Sequence, residues 1–168
     1  MTVAPPAPAM GTPPTVLVVD DEPDILATLA SFLELAVPEA RVFTASSGES
    51  GLAVLEREHV DVVVSDFKMP GMDGLEFLRR CSHLRPSVAS ILLTAFPDRD
   101  VAIRALNEAR ILHFLTKPPE PVVLGHVVQA ALAAQQEVSG NVHEGFRARL
   151  EAAAAMPADR AHAGRAGP

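Results

Sequence analysis

Asp20-Asp21-Glu22 and Asp66 each follow directly on a short apolar run, TVLVV before the first and VDVVVS before the second. Aliphatic runs bounded by turn-forming residues read as buried strands, so each carboxylate stands where a strand ends. At the C-terminal mouths of an open α/β sheet the loops diverge and helix starts aim N–H groups into a crevice, which is where such sheets bind ligands. If the two mouths are neighbours, Asp20, Asp21 and Asp66 share one crevice, where unpaired carboxylates repel by several kcal/mol. A cation is then needed. All-oxygen ligation suits Mg²⁺, a hard ion that keeps several waters and usually shares its shell with a phosphate; Mn²⁺ accepts the same ligands. Thr94, after the run SILL, and Lys117, after ILHFL, bring a hydroxyl and an ammonium to the same edge. Both complement a phosphoryl group attached to Asp66.

The elements that must position these groups are legible from periodicity. Thr15–Val19 is a first strand, and Pro23 opens a helix in which Ile25, Leu26, Leu29, Phe32 and Leu33 recur at helical spacing until Pro38. Arg41–Ala45 is a second strand, and Ser46 with Glu49 has the spacing of a capping box that opens a helix through Glu58. The strand begun at Val60 runs into Asp66, a Pro-Gly turn follows, and after Asp73-Gly74 a helix carries Leu75, Phe77, Leu78 and Cys81 to about Leu84. Ser90–Leu93 is a fourth strand, with Asp98 capping a helix through Leu106; Ile111–Leu115 is a fifth, with a last helix from about Glu120. Strands alternating with helices imply parallel pairing by right-handed crossovers, hence an α/β, doubly wound, five-stranded parallel sheet with five helices. In the flavodoxin-like order 2-1-3-4-5, strands one and three are neighbours and their mouths share a crevice.

Residues 1–14 carry five prolines and no hydrophobic period and read as a disordered lead-in; residues 15–137 form the domain; residues 138–168 turn Ala, Gly and Arg rich and read as a frayed or disordered tail. With 168 residues and 48% hydrophobic content, one buried domain is expected. A formal charge of −7 and the absence of Trp and Tyr disfavour nucleic-acid and anionic-membrane partners. Cys81 is the single cysteine, so no intramolecular disulfide forms; its place in an amphipathic segment makes it a buried filler. A reducing cytoplasm fits, and the chain has neither a signal-peptide pattern nor an apolar run of about 18 residues that could span a bilayer. None of the six histidines forms a spaced pair that would suggest a metal site.

Read in series, VVDDEPDI, VVVSDFKMPGMDGLEFL, ILLTAF and FLTKPPE resemble the receiver domain of two-component response regulators, over roughly Thr15 to Gln136. The chain resembles the single-domain kind, similar to the chemotaxis response regulator. The resemblance implies that Asp66 accepts a phosphoryl group from a sensor histidine kinase or phosphotransfer protein. It also implies that Asp21, Asp66 and the Lys68 backbone carbonyl ligate Mg²⁺, with Asp20 acting through water. Thr94, Ala95 and Lys117 would contact the phosphoryl group, Thr94 and Phe114 would form a switch pair, and Lys68 and Phe96 would tune the lifetime of the phosphorylated state. A downstream protein would read the face made by the fourth predicted helix, the fifth strand and the last helix, and the chain would be a monomer or a phosphorylation-dependent dimer. Its only chemistry would be its own phosphorylation and dephosphorylation, so it would not be an enzyme in the ordinary sense.

Phe114 stands where many family members have Tyr, so switching here works by bulk without a phenol hydroxyl. LNEARILHFLTKP also resembles receivers fused to cyclic-dinucleotide phosphodiesterases or transcriptional activators, which admits a second reading as the N-terminal part of a larger regulator. A haloacid-dehalogenase-like phosphatase would need a second Asp two residues after its nucleophile, and position 22 is Glu. A flavin carrier would need a phosphate loop after strand one, where the acidic corner repels phosphate. The more serious rival is a receiver-shaped interaction module that signals without phosphorylation, and the retention of all five site residues argues against it.

Overall fold

The computed structural model describes residues 12–95, 107, 109 and 111–140, and the backbone alone for 136–140. Five parallel strands, β1 (Thr15–Val19), β2 (Arg41–Ala45), β3 (Val62–Asp66), β4 (Ala89–Thr94) and β5 (His113–Thr116), form one sheet in the order β2-β1-β3-β4-β5. The described helices are α1 (Pro23–Ala36), α2 (Gly48–Arg57), α3 (Gly74–Leu84) and α4 (Pro121–Gly140). The helix expected from Asp98 to Leu106 lies outside the described residues. The sheet, α1 to α3 and α4 as far as Gln135 belong to one unit, and the last residues of α4 belong to a second. No described helix is long and apolar enough to cross a membrane.

Strand composition follows sheet position. Every residue of β1, β3 and β4 is buried, as central parallel strands covered on both faces require, whereas the edge strands β2 and β5 expose part of theirs. Side chains alternate between two cores. Leu17, Val19, Val63 and Leu92 point to one face, where Leu55, Phe77, Leu78 and Cys81 of α2 and α3 cover them. Val16, Val18, Val64, Ile91 and Leu93 point to the other, under Leu29 and Leu33 of α1 and Leu124 and Val128 of α4. Cys81 is fully buried, and burial pushes its thiol well above its ordinary value, so it is the packing residue that its place in the sequence predicts.

Two expectations about boundaries are corrected. The capping box of α2 is Ser47 with Ser50, not Ser46 with Glu49: the Ser47 hydroxyl accepts the Ser50 N–H at 3.1 Å and the Ser50 hydroxyl accepts the Ser47 N–H at 3.1 Å. Since the first helical residue is Gly48, only Ser47 has its hydroxyl over the first turn, and a short serine hydroxyl closes the reciprocal bond that a glutamate was expected to make. The third strand starts at Val62, because the Asp61 carboxylate turns back to accept the Thr15 N–H at 2.8 Å while its N–H donates to the Thr15 carbonyl at 2.9 Å. That exchange ties the entry of β3 to the entry of β1.

Candidate functional site

Register builds the site. Val19 on β1 pairs with Ser65 on β3, so the next residue of each strand, Asp20 and Asp66, emerges side by side at the mouth. Asp66 itself pairs with Leu93, which puts Thr94 one residue beyond it on β4, and Thr94 pairs with Thr116, which puts Lys117 one residue beyond on β5. The Lys117 N–H donates to the Thr94 carbonyl at 2.7 Å and holds that last step in place. Four strand ends thus deliver Asp20, Asp66, Thr94 and Lys117 to one edge, with Asp21 following Asp20.

Carboxylate oxygens of Asp20, Asp21 and Asp66 all lie within 4.8 Å of one another. Asp20 is fully buried and Asp66 is 5% exposed, while Asp21 is half-buried at the rim. One Asp20 oxygen accepts the Glu22 N–H at 2.9 Å and the other accepts from the Lys117 ammonium at 2.7 Å. That ammonium also lies 3.1 Å from Asp66 Oδ1. The cation that the crowded carboxylates call for is therefore supplied in part by the protein itself.

The two titrating groups respond as this geometry demands. Burial, reinforced by the Asp20 charge, raises the Asp66 carboxyl above its ordinary value despite the opposing pull of Lys117 and of the Phe67 N–H. Burial alone would lower Lys117, but hydrogen bonds and charge from Asp20 and Asp66 outweigh it and hold the ammonium above its ordinary value. With three carboxylates against one ammonium, the ionised site is left with two uncompensated negative charges. A divalent cation with a preference for oxygen fits that balance and that donor set.

Of the other residues singled out in the sequence, Lys68 is exposed in the loop after β3, where it borders the crevice with Asp66, Thr94, Lys117 and the exposed Ala95. Thr94 is 2% exposed. Phe114 pairs with Leu92 and is half-buried against the core shared by α2 and α3. Phe96 lies outside the described residues. His113 is exposed on β5.

Two residues that shape the site carry no chemical group that sequence inspection would select. Ser65 donates its hydroxyl to the Asp66 carbonyl at 2.9 Å. A Cβ on Gly74 would fall 1.9 Å from that same carbonyl oxygen, so only glycine lets the start of α3 come this close to the Asp66 backbone. The Asp-Gly pair reads in the sequence as a helix start, which it is: Asp73 caps α3 by accepting the Glu76 N–H at 2.8 Å. The close approach of Gly74 to Asp66 depends on the fold and has no local signature.

A sheet in this order with acidic mouths on β1 and β3 and a lysine after β5 is the plan of one protein class, and sequence comparison agrees. The family model of the response regulator receiver domain matches residues 16–129. The chain belongs to that family. It is 36% identical to the hydrogenase transcriptional regulatory protein HoxA of Cupriavidus necator over 77% of this chain, and the shared part is 26% of HoxA. The chain thus spans about a quarter of that regulator. It is also 38% identical to an uncharacterized 14.6 kDa protein of Leptolyngbya boryana, over 68% of this chain and 86% of that protein. Among solved structures, the signal receiver domain of an HD domain-containing protein from Pseudomonas fluorescens superposes with a TM-score of 0.72 at 30% identity, over 80% of this chain and 98% of that one.

Proposed function

We propose that this chain is a phosphoacceptor of a two-component signalling system that takes a phosphoryl group from a histidine kinase, or from a phosphotransfer protein, onto Asp66. The observation that carries the reading is the ion-paired acidic cluster: Asp66 lies 3.1 Å from the Lys117 ammonium and within reach of Asp20 and Asp21. A divalent cation, Mg²⁺ or Mn²⁺, held by Asp21, Asp66 and the Lys68 backbone carbonyl, with Asp20 acting through water, would supply neutralisation of phosphoryl charge.

The chain's own residues account for the rest. An ionised Asp66 oxygen attacks phosphorus in line, the new O–P bond forms as the donor's N–P bond breaks, and the electron pair leaves with the imidazole. Such transfer depends mainly on positioning and charge. Lys117 is already paired with the Asp66 carboxylate, so it moves to a phosphoryl oxygen without crossing the site. Thr94 and Ala95 border the same crevice and contact the remaining phosphoryl oxygens. Movement of the Thr94 hydroxyl toward the phosphoryl group frees volume for the Phe114 ring, and the face containing β5 and the last helix changes shape for a downstream protein. Phosphorylation shifts this equilibrium by its differential contacts with Thr94 and Lys117.

In this reading the protein is a cytoplasmic switch whose only reactions are its own phosphorylation and dephosphorylation. Lys68 governs access of water from the rim, together with Phe96. The test is incubation of the full chain with acetyl phosphate and Mg²⁺, read by intact mass. One added phosphoryl group, absent without Mg²⁺ and absent in Asp66→Asn, supports the reading; an unchanged mass overturns it. A receiver that serves as the input module of a larger regulator is the second reading, favoured by the match to about a quarter of HoxA.

A further inference from the structure

The crevice that holds Asp66 does not end at the charged cluster. It extends between α1 and the loop that leads into α4, and the whole has a volume of about 680 Å³. The cause is an offset between two helices. α4 meets α1 at the far end of α1: a Cβ on Gly125 would sit 3.2 Å from the Ala36 Cβ, and Gln129 donates to the Ala36 carbonyl at 2.8 Å. The last turn of α1 is therefore level with the first turns of α4, and the earlier turns of α1 face the Pro118–Pro121 loop instead of a helix. Ile25, Leu29 and Phe32 line one wall, and Pro118, Pro121 and Leu124 line the other. The prolines carry no backbone N–H, so that wall presents pyrrolidine rings and no donor at those positions. Such a volume lies within the roughly 300–1,000 Å³ typical of small-molecule sites.

We propose that this crevice takes small acyl phosphates bearing an extended apolar acyl group, with the phosphoryl group at Asp66 and the acyl chain along α1. The proposal rests on the phosphoacceptor reading and names a donor class for it. Charge selects the class. Asp66, Thr94 and Lys117 border the cavity, and its charged lining, Glu22, Asp24 and Asp66 against Lys68 and Lys117, is net negative, which disfavours a ligand carrying a second anionic group. A nucleotide or polyphosphate is therefore disfavoured, and a single phosphoryl group with an uncharged apolar tail matches both the charged and the apolar lining. In the transfer an Asp66 oxygen bonds to phosphorus, the P–O bond to the acyl group breaks, and the electron pair leaves on the released carboxylate; no proton moves.

The test measures the rate of Asp66 phosphorylation by intact mass, using the full chain with Mg²⁺ and either acetyl or hexanoyl phosphate. The two leaving carboxylates are of nearly equal basicity, so any difference reports the cavity. The expected result is a KM about tenfold lower for hexanoyl phosphate at similar kcat, since the added methylenes leave water. Thr28→Phe, an exposed position on α1 at the cavity wall, fills the space and is expected to bring the two KM values together. Equal KM values in the unaltered protein, or a preference that survives Thr28→Phe, overturn the proposal while leaving Asp66 as acceptor. Labelling by neither donor overturns the acceptor reading itself, and the proposal with it.

Discussion

Lys117 spans two carboxylates, Asp20 at 2.7 Å and Asp66 at 3.1 Å, and is the residue on which the electrostatics of the resting site depend most. Its raised pKa stabilises the fold fully below its ordinary value of 10.5, and that contribution is lost as pH rises through the higher folded-state value. Lys117→Met is expected to lower the melting temperature at neutral pH and to enlarge the stabilisation gained from Mg²⁺, because the carboxylates lose their internal counter-ion. Equal melting of the two proteins in EDTA would show that the pairing contributes nothing. Asp66 has the opposite effect. Its carboxyl is also raised, so protonated Asp66 favours the fold at low pH and that benefit disappears as pH rises through the folded-state value; at neutral pH the buried charge costs stability. Asp66→Asn should accordingly melt higher than the unaltered protein in EDTA, since Asp20 still holds Lys117. A lower melting temperature would contradict this. Mg²⁺ at about a hundred times its dissociation constant should stabilise the unaltered protein by roughly 2.7 kcal/mol.

At the scale of elements, the site is a consequence of strand register, and α3 is the helix placed hardest against it. The Asp73 cap should contribute about 1 kcal/mol, so Asp73→Ala is expected to lower stability by that amount in a denaturant titration. Phe77 of α3 is fully buried between its own helix, α2 and the sheet, and Phe77→Ala should cost about 3–5 kcal/mol. Gly74→Ala is the more informative change. Its Cβ cannot coexist with the Asp66 carbonyl at 1.9 Å, so either the first turn of α3 or the end of β3 must shift. Mg²⁺ affinity and Asp66 phosphorylation should then fall together even where the variant stays folded by circular dichroism; a folded variant with unchanged Mg²⁺ binding would show that α3 does not position the acceptor.

The whole molecule was readable in the sequence to the extent that its information is periodic. Buried central strands print as aliphatic runs such as VLVV and VVV, so the strands and their alternation with helices followed from pattern, and the meeting of Asp20, Asp21 and Asp66 followed once the flavodoxin-like order was assumed. What pattern does not carry is contact. Ser46 and Ser47 are chemically identical neighbours, and only the helix start at Gly48 decides which one caps α2. The pairing of Lys117 with Asp20, the approach of Gly74 to Asp66 and the offset of α4 against α1 depend on distances between segments far apart in the chain. In the proposed switch, Thr94→Ala should still accept a phosphoryl group, yet the Phe114 ring resonances should no longer shift on phosphorylation, whereas in the unaltered protein they should. Borohydride locates the proposed phosphoryl group on the chain, because reduction of an aspartyl phosphate leaves homoserine. After treatment with acetyl phosphate and Mg²⁺, peptide mapping of the reduced protein should find homoserine at position 66 alone; homoserine at another aspartate, or none anywhere, would contradict Asp66 as acceptor.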